Sequence, residues 1–234
     1  DPSATTSVDI GLNLSSDAEV LADPWDPTKP GETSNYSTST TVYDSLGNPI
    51  DADVYYRKTG ANSWEYHVMV DGEDQQGGTA GTPTEITSGT LDFDTAGALT
   101  THTPNAVTFN PPGATQPQDI TFDFEGSTQV AGDSALKSLA QDGYAVGELR
   151  DITIEEDGTI IGQFSNGENA EVGRVAMADF AAPEGLARAG GQLWAATPDS
   201  GEALVGAAGT GKLGSVISGA LESSNVDMSH EFVK

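Results

Sequence analysis

Apolar and polar residues alternate with a period of two near the start of the chain. The apolar positions of this pattern are Val8, Ile10, Leu12 and Leu14. Since successive side chains of a strand point to opposite faces, residues 5–22 are predicted to contain a half-buried strand. Residues 23–32 carry three prolines and predict a linker. We expect Trp25 to pin this linker to a neighbouring surface.

Short runs rich in Thr, Tyr, Val and Ile repeat through residues 33–127. The predicted strands are Tyr36–Tyr43, Ile50–Tyr56, Trp64–Val70, Gly89–Phe93, Val107–Phe109 and Ile120–Phe124. Turn residues separate them, and the glycine- and glutamine-rich stretch Glu73–Pro83 predicts a loop. Short strands at this spacing predict a sandwich or a barrel.

Residues 128–213 form a second block with strand and turn signals. Asp157-Gly158 and Asn166-Gly167 are strong hairpin signals. Apolar residues alternate on both sides of the first hairpin turn, and the strand after the second turn is expected to continue through Met177. From pattern alone, the chain is two β-rich blocks joined by a proline-rich linker.

The end of the chain changes character after an extended, glycine-containing run. Ser224 and Asp227 have the spacing of a capping box. Met228 and Phe232 lie four residues apart and begin an apolar stripe. The pattern predicts the start of a C-terminal helix of about two turns, too short to be stable alone. We therefore expect the chain to be a fragment of a longer protein.

This terminal stretch resembles the C-terminal motif of the flagellar rod and hook protein family. The matching positions are Leu221, Glu222, Ser224, Asn225, Val226 and Asp227. In that family the motif leads into a long helix in the core of a tubular assembly. Residues 41–48, Tyr55-Tyr56, Trp64 and Leu91–Asp94 resemble the outer domain of hook members. Rod members generally lack such an insertion, so the resemblance favours hook over rod.

The resemblance also implies a domain organisation. Residues 1–25 and 128–234 would form one discontinuous inner β domain, with 24–32 as linker. Residues 33–127 would form an inserted outer β domain. The predicted fold class is therefore mainly β, with two sandwich-like or barrel-like domains.

The charge is strongly negative and is distributed over the whole chain. The net charge is −27, and residues 33–127 hold 13 acidic and 2 basic residues against 23 and 7 in the remainder. This describes a solvated acidic surface, not an acidic tail. It disfavours nucleic acid as a partner, because binding needs a basic face. No stretch approaches the length of a membrane span, so no membrane insertion is expected.

One stretch matches the spacing of a nucleotide-binding loop. Gly206 to Lys212 has the glycine and lysine spacing of a phosphate-binding loop. The next residue is Leu213, which lacks the hydroxyl that would hold magnesium, and no strand–helix repeat surrounds it. A flexible glycine turn is the favoured interpretation. A nucleotide-binding enzyme stays the alternative of a different class.

Other candidate chemistry is weak. His67, His102 and His230 have no metal-ligand spacing, and there is no Gly-x-Ser-x-Gly elbow. The acidic turns at 71–74 and 155–157 could hold calcium only weakly, because neither has the 12-residue loop pattern. Aromatic residues at Tyr55, Tyr56 and Trp64 could stack on sugars, although core packing is favoured. We expect no catalytic, cofactor or metal site.

The function that the resemblance implies is structural. We expect a subunit of the bacterial flagellar hook, a curved tube that transmits torque from rod to filament, with a distal rod protein as the alternative. The full protein would polymerise with itself and meet the distal rod, the hook cap and the hook–filament junction proteins. It would reach the extracellular flagellum through the flagellar secretion channel. The fragment alone is expected to be monomeric.

Overall fold

The computed structural model describes residues 1–104, 107–190 and 193–220. In these ranges the secondary structure is almost entirely strand, as the sequence predicted. The chain divides into two compact units, Asp1–Val146 and Gly147–Lys234. The predicted start of a C-terminal helix and its motif, Leu221 to Asp227, lie outside the described residues.

The described part of the first unit, residues 1–104 and 107–146, contains nine strands in two sheets. Their bounds are β1 Ser7–Ser15, β2 Tyr36–Tyr43, β3 Pro49–Lys58, β4 Ser63–Asp71, β5 Pro83–Phe93, β6 Leu99–Pro104, β7 Thr121–Asp123, β8 Thr128–Val130 and β9 Ala135–Gln141. Strands β2 to β6 form an antiparallel meander in sequence order. Strands β1, β7, β8 and β9 form the second sheet.

Strand β1 is the centre of the smaller sheet. It pairs in parallel with β7 and β8 and antiparallel with β9. Because β9 covers residues 8–13, β7 and β8 share the opposite edge of β1 end to end. Between them the buried Ser127 hydroxyl donates to the carbonyl of Ile10 and accepts from the N–H of Leu12, both at 3.2 Å. This side chain therefore replaces backbone bonds where the ladder is interrupted.

The position of β1 corrects the sequence prediction of a half-buried strand. Every residue from Ile10 to Leu14 is buried. The polar side of β1 is covered as well: the Ser138 hydroxyl lies against Gly11, and the Asn13 side chain accepts from the Val130 N–H and donates to the Asp133 carbonyl. The alternation in the sequence therefore overstated the exposure of this strand.

The two sheets share one hydrophobic core. Its members come from both sheets and include Val8, Ile10, Leu12, Leu14, Val42, Val54, Tyr56, Trp64, Tyr66, Leu91, Phe109, Phe122 and Phe124. Burial of large apolar side chains on this scale is the main stabilising term of such a unit. The packing of two sheets on one core is sandwich-like, as predicted.

Two hairpins of the larger sheet use the same turn. At Asp44–Gly47 and Asp94–Gly97 the glycine N–H donates to the aspartate carbonyl at 3.0 Å. Each aspartate Oδ1 also accepts two further N–H groups of its turn at 2.8 and 2.9 Å. Gly47 and Gly97 both have φ of +82°, which other residues rarely adopt. In both turns, the aspartate side chain therefore stabilises the backbone through hydrogen bonds, and the glycine allows the positive φ that the turn requires.

The observed units differ from the predicted division of the chain. We expected residues 1–25 and 128–234 in one domain and 33–127 in another. Instead β1, β8 and β9 lie in the same unit as 33–127. The physical reason is that β1 supplies core residues that pack with those of the larger sheet. The described boundary falls between Val146 and Gly147.

In its described residues, 147–190 and 193–220, the second unit contains seven short strands. They are β10 Leu149–Ile154, β11 Thr159–Phe164, β12 Asn169–Arg174, β13 Ala176–Asp179, β14 Ala187–Gly190, β15 Leu193–Ala195 and β16 Leu204–Ala207. Strands β10 to β12 form an antiparallel sheet, while β13 pairs with β16 and β14 with β15. The turns at Gly158 and Gly167 connect β10 to β12, so both predicted hairpins are confirmed. The strand expected to run on through Met177 is split, because β13 pairs with β16 instead.

Candidate functional site

The loop Gly206–Lys212 does not have the geometry of a phosphate-binding loop. Two of its backbone N–H groups are used in local turns: Gly209 donates to the carbonyl of Gly214 at 2.9 Å, and Thr210 donates to that of Ala207 at 3.4 Å. The loop follows β16, and no helix follows it within the described residues up to 220. A phosphate needs free N–H groups that converge at a helix start. The geometry therefore supports the glycine-turn interpretation.

The two acidic turns use their carboxylates for backbone structure. Asp71 accepts the N–H groups of Glu73 and Gly81, each at 2.9 Å. Asp157 accepts the N–H of Thr159 at 2.9 Å and lies 3.2 Å from the Arg174 guanidinium. Hydrogen bonds from Thr159 hold the pKa of Asp157 below its usual value. Across the described ranges, no three His, Cys, Asp or Glu side chains converge as a metal site.

The aromatic residues considered for sugar binding are mostly core residues. Tyr56 and Trp64 are fully buried, so the favoured interpretation of core packing is confirmed for both. Tyr55 is half-buried and contacts the ring of Trp25, with a distance of 5.8 Å between ring centroids. Tyr55, Tyr56 and Trp64 therefore do not present two exposed aromatic rings on which a sugar could stack.

The histidines of the described chain occupy different environments. His102 is half-buried near Phe124, with 6.0 Å between ring centroids. His67 is buried and lies against the linker, where Trp25 stacks on it. His230 lies outside the described residues. The two described histidines have different neighbours and do not form a common site.

The linker is the one segment whose polar contacts sequence reasoning largely missed. Trp25 does pin it to the sheet, as expected: its Nε1 donates to Glu85 at 2.9 Å. Arg57 and Lys58 at the end of β3 also hold the chain that leads into the linker, through four hydrogen bonds to the carbonyls of Ser16, Ala18, Leu21 and Asp23. The sequence did hold one signal for these contacts. Arg57 and Lys58 end a strand whose apolar and polar residues alternate, and cations that become buried there require hydrogen-bond partners.

No element of the described chain is a helix able to cross a membrane. The molecule described here is therefore a β-rich protein with an acidic surface, two units and turns stabilised by their own carboxylates.

Comparison with known proteins assigns this molecule to a family. Residues 13–144 match the family of the flagellar basal body protein FlaE D2 domain. This match covers more than half of the chain, so the chain belongs to that family. The predicted resemblance to flagellar rod and hook proteins is confirmed.

Curated relatives match across almost the whole chain. The chain is 37% identical over 240 residues to the flagellar hook protein FlgE of Escherichia coli K12, covering 98% of this chain and 56% of the relative. It is also 37% identical over 202 residues to FlgE of Helicobacter pylori 26695, covering 83% of this chain and 28% of the relative. The chain thus spans only about half of the E. coli protein's length.

Among solved structures, the chain is similar to the crystal structure of Helicobacter pylori flagellar hook protein FlgE2. The two are 26% identical, with a TM-score of 0.49, over 73% of this chain and 39% of that one. The family assignment depends on the sequence matches and not on this likeness.

Proposed function

We propose that the full-length protein is the structural subunit of a bacterial flagellar hook. It polymerises into a curved tube that acts as a universal joint and passes torque from rod to filament. The observation that carries this proposal is the 37% identity to a hook protein over 98% of the chain. On this proposal the chain is not an enzyme and needs no cofactor.

The surface chemistry supports reversible contacts between subunits. A joint requires neighbouring subunits to slide on one another while they stay connected. Polar interfaces can be exchanged at low cost, because water replaces each lost contact. The net charge of −27 makes such contacts between identical subunits weaker still at low salt. A stable polymer therefore needs attachment elsewhere, which we assign to the terminal helices of the full-length protein.

One face of the second unit is apolar and uncovered within the described residues. Leu149, Ile152 and Val172 are 50–52% exposed. Leu149 and Val172 converge over Gly162, where a Cβ would lie 2.8 and 3.1 Å from their methyl groups. This chain covers only 56% of the length of the E. coli relative, so we propose that the part of the full-length chain outside these 234 residues covers this face.

The proposed location follows from the proposed function. The protein would pass through the flagellar secretion channel and lie outside the cell, at the base of the filament. Its neighbours there would be the distal rod, the hook cap during growth and the hook–filament junction proteins. Neither nucleic acid nor a membrane interior is a proposed partner.

Immunogold labelling of intact flagella tests this function directly. Antibodies raised against the first unit are applied to purified filament–hook–basal-body complexes from the source bacterium. We expect label on the short curved segment between rod and filament. Label confined to the straight rod would favour the distal rod alternative, and label along the filament or on no flagellar part would reject the proposal.

A further inference from the structure

The linker between β1 and β2, residues 16–35, is fastened to the outer face of the larger sheet; we call it the strap. Lys58 Nζ donates to the carbonyls of Ser16 and Ala18 at 2.6 and 3.1 Å. Arg57 Nη2 donates to those of Leu21 and Asp23 at 3.0 and 2.6 Å. Both cations are almost fully buried, so their charges depend on these strap carbonyls.

The middle of the strap is held by an aromatic stack. The rings of Trp25 and His67 are 4.1 Å apart and within 8° of parallel. One carboxylate oxygen, Oε2 of Glu85, accepts from Trp25 Nε1 at 2.9 Å and lies 3.1 Å from His67 Nδ1. Since an ionised carboxylate only accepts hydrogen bonds, Nδ1 carries the hydrogen of neutral His67.

The other ring nitrogen of His67 is buried with no hydrogen-bond partner. A proton taken up by the ring must therefore bind at Nε2. Oε2 of Glu65 is 4.0 Å away, which is beyond hydrogen-bond distance. That same oxygen accepts from Arg57 Nη1 at 3.2 Å. Protonation would therefore leave a buried N–H at Nε2 without an acceptor and place a second cation near Arg57.

We propose that the strap is a proton-operated latch, in which protonation of His67 at Nε2 creates a buried, unpaired donor beside Arg57 and releases the strap from the sheet, so that water reaches both groups. Arg57 is the link, because its guanidinium also holds the strap carbonyls. Arg57 and His67 lie on neighbouring strands and stay close together, but opening the strap hydrates both cations and weakens their repulsion. The latch is closed while His67 is neutral.

The charged groups around His67 come from every strand that packs against it. Glu85 belongs to β5, Glu65 to β4 and Arg57 to β3, while the strap contributes the uncharged Trp25. Burial lowers the pKa of His67; Glu85 and Glu65 act to raise it, Arg57 acts to lower it, and the net direction is downward. A lowered folded-state pKa means that the closed strap is fully stable above the usual histidine pKa. This stability is lost as the pH falls through the folded-state value.

Fluorine NMR of the chain labelled with 5-fluorotryptophan tests the latch. Trp25→Phe assigns the Trp25 resonance, and the solvent isotope shift between H₂O and D₂O reports its exposure. Trp64 is fully buried in the same unit and serves as the internal control. Between about pH 8 and about pH 4.5, which spans histidine titration, we expect Trp25 to become exposed while Trp64 stays unchanged.

The proton NMR titration of the His67 ring in the unmodified chain gives the second readout. Its midpoint should coincide with that of Trp25 exposure. Above this midpoint, each pH unit of acidification should raise the ratio of open to closed strap by at most about tenfold. His67→Asn keeps a donor near the Nδ1 position but cannot titrate, so Trp25 should stay covered. His102→Asn is the matched control and should open like the original chain.

Three results would overturn the latch. His67 could titrate while Trp25 stays covered, or His67 could stay neutral throughout the range. Alternatively, Trp25 could become exposed equally in His67→Asn. Because all readouts use this chain in solution, none of them depends on whether the full-length protein polymerises.

Discussion

The indole Nε1 of Trp64 donates a 2.8 Å hydrogen bond to Oε1 of Gln129, 65 residues further along the chain. Trp64 lies in the larger sheet and Gln129 in the smaller one, and both are buried. Gln129 Nε2 also donates to the carbonyl of Ala61 at 2.9 Å. This bond fixes how the two sheets of the first unit face each other.

Gln129→Met should therefore destabilise the first unit. It leaves the buried indole N–H without an acceptor, at a cost of about 1–3 kcal/mol in the free energy of unfolding. Gln163→Met, at an exposed position of β11, is the control and should change it by less than about 0.5 kcal/mol. Urea unfolding followed by tryptophan fluorescence measures both. Equal midpoints for the two variants would show that the Trp64–Gln129 bond carries no stability.

Alanine substitutions at two glycines of the first unit distinguish the cost of backbone strain from the cost of a steric clash. Gly97 and Gly126 both have positive φ, +82° and +79°. A Cβ at Gly97 would lie 2.3 Å from the carbonyl oxygen of Gln129, whereas one at Gly126 would meet nothing within 4 Å. Gly126→Ala should cost about 1 kcal/mol from strain alone.

Gly97→Ala should cost clearly more than Gly126→Ala, because the β5–β6 turn must move away from β8. The same urea titration compares the two variants. If Gly126→Ala were as destabilising as Gly97→Ala, the close approach of Gly97 to β8 would not be a real constraint on the fold.

The Asp142 carboxylate makes the stability of the first unit depend on pH in the acidic range. Partial burial acts to raise the pKa of Asp142, but hydrogen bonds from the Thr6 hydroxyl and from the N–H groups of Ser7 and Thr6 outweigh it and lower the pKa. A lowered pKa means that this stabilisation is complete above the unfolded value of about 3.9 and is lost as the pH falls through the folded value.

Asp142→Asn should remove this component. We expect a variant that is less stable than the original chain at neutral pH and that loses less stability on acidification below about pH 4. Thermal unfolding at a series of pH values measures the difference. Parallel curves for the two proteins would mean that the Asp142 carboxylate is not coupled to folding. Asp179→Asn, in β13 of the second unit, serves as the control.

From the structure of the loop Gly206–Lys212, we predict that the chain does not bind nucleotides. Local turns use the N–H groups of Gly209 and Thr210, and no helix follows the loop within the described residues, so isothermal titration with ATP and magnesium should give no heat of binding. Lys212→Ala should behave like the original chain. Measurable heat that disappears in Lys212→Ala would restore the nucleotide-binding alternative.

Local patterns in the sequence predicted much of the larger sheet. Tyr36–Tyr43 was predicted with the bounds that β2 has, because β-branched and aromatic residues and a strong aspartate–glycine turn act over short distances. Residues 99–104 and 135–141 were missed as strands. The second of these, Ala-Leu-Lys-Ser-Leu-Ala-Gln, has no period of two; it is a strand because β1 provides its partner.

The polar cluster of the strap could not be predicted because it depends on strand register. Glu85 opposes Met69, the next residue of β4 on the same face as His67, just beyond a bulge between Val68 and Met69. Only this register brings Glu85 within diagonal reach of His67. The proline-rich composition did predict a linker, and an isolated Trp25 within it did predict a contact. The identity of that contact required the paired strands.

Electron microscopy of the full-length protein at rising salt tests the central claim most directly. The screening length falls from about 10 Å at 0.1 M salt to about 3 Å at 1 M, which should relieve repulsion between acidic subunits. We predict curved tubes of uniform diameter that become more abundant as salt is raised, while the 234-residue chain alone stays monomeric at micromolar concentration by light scattering. Straight rods, or no polymer at any salt concentration, would contradict the assignment as a hook subunit.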